Sequence, residues 1–71
     1  MIGAVKSYDP RRGVGFIAPD RGGADIAVHA NEVELFGVAR LSAGDRIEFD
    51  VKTDRALRRT FAVNLRRAPG S

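Results

Sequence analysis

The chain has 71 residues and a mass of 7.7 kDa, room for one small domain that buries roughly 60% of its unfolded surface on folding, so a two-domain enzyme is excluded. It contains no cysteine and a single histidine, which removes disulfides and thiolate clusters as supports and leaves the apolar core to hold the fold; no enzyme, cofactor or catalytic metal is expected. The start Met1–Lys6 has no basic segment followed by an apolar stretch, so the reading is a cytoplasmic chain with no signal peptide and no membrane span.

Charge is informative in its distribution. The net charge is +3, but residues 1–35 hold four basic and five acidic groups while residues 36–71 hold eight and four. Ten of the twelve basic residues are Arg, whose planar fork suits phosphate and stacks on bases. Arg55, Arg58, Arg59, Arg66 and Arg67 have no acidic residue among them, which makes phosphate-bearing partners plausible; the alternative is a solvated strand face and a basic tail.

In chain order, residues 2–9 with Val5 and Tyr8 read as a first strand, and Asp9–Gly13 as a tight turn. Residues 13–18 resume as a second strand, and glycines at 13 and 15 disfavour a helix there. After the turn Pro19–Gly23, residues 25–29 alternate, with Ile26 and Val28 on one face and Ala27 and His29 on the other. Residues 30–43 lack alternation; Asn31 is expected to cap one helical turn through Glu32–Leu35, stopped by Gly37. Residues 46–52 alternate strictly, placing Ile47, Phe49 and Val51 inward, and residues 60–65 place Phe61, Val63 and Leu65 together. Nothing divides the chain, so one domain over 1–67 is expected, with 68–71 as a flexible tail.

Five short strands with glycine-rich turns favour a sheet curled into a small barrel, which also limits exposed edges. A five-stranded oligonucleotide-binding barrel has this strand count, and an SH3-like barrel is the structural alternative. The run Gly13–Ala18 fits the loose G-x-G-x-x-A pattern of a dinucleotide turn, but that pattern works only between a strand and a helix of a βαβ unit, and here the glycines open a strand. His29 and Glu32 have no second histidine or nucleophile set to work with, so catalysis lacks parts.

The informative combination is Arg12-Gly13-Val14-Gly15-Phe16-Ile17 on the second strand, followed by Asp25-Ile26-Ala27-Val28-His29-Ala30 on the third. With the opening Gly3–Asp9, Pro19-Asp20, the run Leu41–Phe49 and the closing Ala62–Leu65, the chain resembles the cold-shock domain family, whose ribonucleoprotein motifs run Lys-Gly-Phe-Gly-Phe-Ile and Val-Phe-Val-His-Phe. The resemblance implies an all-β, five-stranded antiparallel oligonucleotide/oligosaccharide-binding (OB-fold) barrel. It also implies low-specificity binding of single-stranded DNA or RNA, with a possible role as RNA chaperone or expression regulator, through bases stacked on aromatic rings and a backbone tracked by basic residues.

By that resemblance Tyr8, Phe16 and His29 stack bases, and Lys6, Arg12, Arg58 and Arg59 contact phosphate or sugar. Four family rings are replaced, by Ser7, Val14, Ala27 and Ala30. At about 1 kcal/mol each they amount to about 4 kcal/mol, roughly a thousandfold in affinity, so weaker binding than is usual in the family is expected. Phe36 and Phe61 are candidates for a further ring, Phe61 alternatively belonging to the core or its rim. The competing function is a face reused for a protein partner or a weak homodimer, since Val14, Ala27 and Ala30 beside Phe16 and Tyr8 make a small apolar patch.

Overall fold

The computed structural model describes residues 1–69. Five strands, β1 (Ile2–Asp9), β2 (Val14–Pro19), β3 (Ile26–His29), β4 (Arg46–Asp54) and β5 (Arg59–Arg67), lie where apolar alternation and turn residues place them, with one helix, α1 (Ala30–Phe36), between β3 and β4. The β1–β2 turn is built by Asp9, whose Oδ1 accepts the N–H groups of Arg11 and Arg12 at 2.9 and 3.3 Å, the local competition with the backbone that makes Asp a turn residue.

The strands close in the order β1-β2-β3-β5-β4, β1 pairing with both β2 and β4. The expectation of an antiparallel OB-fold barrel is corrected by the remaining seam. There β3 meets β5 in parallel through the single register pair Ala27↔Phe61, so the sheet is mixed. The long excursion through α1 and β4 brings the chain back in the direction it left, as a parallel pair requires.

Val5, Ile17, Val28, Val33, Leu41, Ile47, Phe49, Ala62 and Leu65 form the core, with Phe49, Ile17 and Val28 fully buried. The α1 helix begins after His29, in extended backbone and without a side-chain cap, so Asn31 is inside the helix and not its cap. The Ala30 N–H is already held by the Gly13 carbonyl at 2.8 Å, which fixes the strand-to-helix transition there. Gly37, at φ 94°, ends the helix as expected, in the left-handed conformation that favours glycine, its N–H on the Glu34 carbonyl.

Two bulges change which side chains face inward. In β1, Val5 pairs with Ile17 and Ser7 with Phe16, leaving Lys6 as the extra residue. Beyond it Tyr8 turns toward the core and Ser7 outward. In β5, Glu48↔Arg66 gives way to Asp50↔Val63, with Asn64 at φ 53° in the bulge. The expected inward set Phe61, Val63 and Leu65 is therefore corrected: Ala62 and Leu65 are buried, and Phe61 and Val63 belong to the opposite face. Ile47 and Phe49 point inward as expected, but Val51 is 40% exposed because the β4–β5 hairpin runs out past the core. Ala68, assigned to the tail, is buried, and its N–H approaches the Arg46 carbonyl at 3.4 Å; residues 70 and 71 of that tail lie outside the described residues.

Candidate nucleic-acid interface

Register places one row of side chains across the outer face of all five strands. Ser7 stands opposite Phe16, Phe16 opposite Ala27, Ala27 opposite Phe61, and Phe61 opposite Lys52. Phe16 is 41% exposed. His29, exposed at the end of β3, meets Phe61 edge-to-face with ring centroids 4.7 Å apart, the arrangement aromatic quadrupoles favour. Between Phe16 and this pair lies an open depression of about 510 Å³ floored by Ala27 and Ile26 and bordered by Arg59. Small side chains at Val14 and Ala27 thus leave a trough, and the ring that borders it on the far side comes from β5.

Tyr8 does not join this row. Its Cδ1 lies 2.7 Å from where a Cβ on residue 15 would be, so only glycine at 15 lets the ring fold down against the core, where Tyr8 is partly buried. Phe36 is also elsewhere: it packs against the core and lines a separate depression with Val38, Leu41 and Ile47, which shares no residue with the trough.

The basic candidates differ in availability. Lys6 holds Asp25 at 3.1 Å and Arg12 lies 3.8 Å from Asp9, both pairs on the exposed surface, where such contacts are weak and readily exchanged for phosphate. Arg58, at φ 53°, and Arg59 sit at the tip of the β4–β5 hairpin and form no ion pair among the described residues. Two other arginines are committed to carboxylates: Arg46 forks onto Asp20, and Arg66 bridges Glu48 and Asp50 at 3.4 and 3.2 Å. These hydrogen bonds hold the Asp20 and Asp50 carboxyls below the ordinary aspartate range. Lys52 and Leu57 also border the ring of Phe61. The strict alternation of residues 46–52 already marked Lys52 as outward, but nothing in the sequence put it beside a ring.

A family model for the "Cold-shock" DNA-binding domain matches residues 1–68. The chain belongs to the cold-shock domain family. It is 39% identical over 66 residues to the cold shock protein CspA of Rhizobium meliloti, covering 93% of this chain and 96% of that one. It is 40% identical over 63 residues to the probable cold shock protein y4cH of Sinorhizobium fredii, covering 89% and 91%, and 38% identical over 52 residues to the cold shock protein CspV of Vibrio cholerae, covering 73% and 74%. Cold-shock domain proteins bind single-stranded nucleic acids with low sequence specificity, through a non-catalytic fold. Among the described residues of this member, no group of three or more His, Cys, Asp or Glu is placed to hold a metal ion, and no helix is long and apolar enough to cross a membrane.

Proposed function

We propose that this cold-shock domain protein binds single-stranded DNA or RNA across the outer face of β2, β3 and β5, acting in the cytoplasm on unpaired strands, as an RNA chaperone or regulator of expression does. The observation that carries this reading is the row Phe16, Ala27, Phe61 with His29 against Phe61. Three rings flank a trough wide enough to admit a base, and stacking contributes about 1–3 kcal/mol per base whatever its identity. Arg59 and Arg58 at the hairpin tip, with Lys6 and Arg12 at the opposite rim, follow the backbone. Tyr8 supports the strand beneath. Phe61 replaces part of what Ala27 and Val14 lack, and affinity stays below that of members with a full set of rings. The binding domain includes residues 1–68, Ala68 packing into it after β5. Holding strands open requires no nucleotide hydrolysis, only mass action on the unpaired state.

The deciding measurement is fluorescence anisotropy of a labelled oligothymidine and an unstructured RNA at low and near-physiological salt. Micromolar or tighter binding that survives the higher salt supports base stacking, and the ratio of the two affinities gives the DNA or RNA preference. Binding confined to low salt overturns it. The exposed Phe16 and Leu57 favour a second reading, weak self-association over the same face, which sedimentation equilibrium with and without oligonucleotide tests.

A further inference from the structure

On the far side of Phe61 a second depression carries polar groups that stacking does not employ. Alternation along β4 puts Lys52 and Asp54 on one face, with Lys52 directly across from Phe61. Glu32 reaches the same place from the first turn of α1, its Oε1 accepting the Asn64 N–H at 3.0 Å. Together with Leu57 and Phe61 these side chains line an open space of about 320 Å³, which shares His29 and Phe61 with the trough.

Each carboxylate is held by one oxygen only. Glu32 Oε1 takes the Asn64 N–H, and Asp54 Oδ1 takes the Leu57 N–H at 3.1 Å; their second oxygens have no hydrogen bond among the described residues, and Lys52 forms no ion pair there. Two carboxylates repel a phosphodiester, so what enters from a strand crossing Phe61 is a base and not the backbone. The Watson–Crick edge of an unpaired base is open to side chains. Guanine presents there two adjacent N–H donors, at N1 and N2, beside one carbonyl acceptor, O6. Thymine and uracil present two carbonyls with one N–H between them. Cytosine and adenine present one amino group next to a ring nitrogen whose lone pair a carboxylate repels.

Building on the stacking face proposed above, we infer that this second depression is a guanine-reading subsite. The free oxygens of Glu32 and Asp54 accept from N1–H and N2–H, the Lys52 ammonium donates to O6, and Phe61 and Leu57 supply the apolar walls. The pairing of donors with acceptors gives this chain a base preference at one position of an otherwise tolerant site.

The test uses the whole chain and a short oligothymidine in which a single guanine replaces each thymine in turn. Anisotropy is expected to show about tenfold tighter binding at one position, as befits paired hydrogen bonds to a base edge. Inosine at that position, lacking the N2 amino group, gives back a large part of the gain. Glu32→Gln and Asp54→Asn each keep an oxygen for the Asn64 or Leu57 N–H; both are expected to erase the guanine preference while affinity for plain oligothymidine rises, a negative charge having been removed. Equal affinity at every position, or a preference for cytosine or adenine, overturns the guanine subsite while leaving the stacking face intact. Failure of every oligonucleotide to bind overturns both.

Discussion

The two bulges act in opposite senses on the same surface. At Lys6 in β1 the extra residue turns an aromatic ring, Tyr8, from the outer face toward the core and leaves Ser7 outside. At Asn64 in β5 it turns Phe61 out of the inward set and puts Ala62 in its place. One edge of the row thereby lacks a ring and the other gains one, so the aromatic surface is displaced toward the β4–β5 hairpin and its arginines. Side-chain alternation fixes only relative facing; a single inserted residue decides which half of a strand faces the ligand.

The comparison breaks most directly if the two rings are removed separately. Phe61→Ala is expected to weaken oligonucleotide binding by about 1–3 kcal/mol with little change in unfolding midpoint, whereas Tyr8→Ala is expected to lose about 1–3 kcal/mol of stability with little change in affinity once folded. Anisotropy paired with urea denaturation checks both, and a Tyr8 variant that loses affinity alone returns that ring to the binding face. The β5 bulge is probed at Asn64, whose φ of 53° glycine adopts freely and alanine does not. Asn64→Gly is expected to be better tolerated than Asn64→Ala by about 1 kcal/mol in denaturant melts. Equal losses would mean that the side-chain bond from Asn64 Nδ2 to Asp50, at 3.1 Å, dominates.

Smaller again is the electrostatic asymmetry. Arg58→Ser with Arg59→Ser is expected to flatten the slope of log K against log salt by up to about 1.4, from about 0.7 per phosphate on a single strand. Salt titrations that give an unchanged slope place the backbone away from the hairpin tip. The smallest effect concerns Asp50, whose carboxyl is held below its ordinary value of 3.8 by hydrogen bonds from Arg66 and Asn64. A depressed folded-state value makes the contribution complete above about 3.8 and lost as pH falls below it. Asp50→Asn is therefore expected to reduce the acid dependence of stability slightly, as read from melts between neutral pH and pH values under that limit.

Much of this was legible in the residues. Turn residues located the first two strands and period-two runs the other three, Gly37 marked the end of α1, and the Gly-x-Gly-Phe and Val-His motifs put Phe16 and His29 on neighbouring strands. Facing was not legible past the bulges, because alternation counted through Lys6 or Asn64 is one residue out of phase. Asn64 did carry a signal, being among the few residues that tolerate a left-handed backbone within a strand. The parallel seam was hidden for another reason. Strand patterns report burial and carry no direction, and only the path through α1 and β4 decides how β5 lies against β3. For the same reason Phe36, next to the motif in sequence, ends on another side of the molecule.

The seam has a bearing on folding as well. Its one register pair joins residues 34 apart in sequence, Ala27 and Phe61, whereas the β4–β5 and β1–β2 hairpins zip locally. Closing a loop between distant residues costs entropy before any contact offsets it, so the hairpins are expected to form early; β1 and β4 also join distant residues but through three register pairs, so the one-pair junction is expected to close last and to be the first to part in the native state. A strand lying on Phe16, His29 and Phe61 would span that junction and act as a clasp on the ring of strands. Occupancy would then slow amide exchange at Ala27 and Phe61 more than anywhere else on the sheet, making the weakest join in the molecule the one most tightened by its ligand.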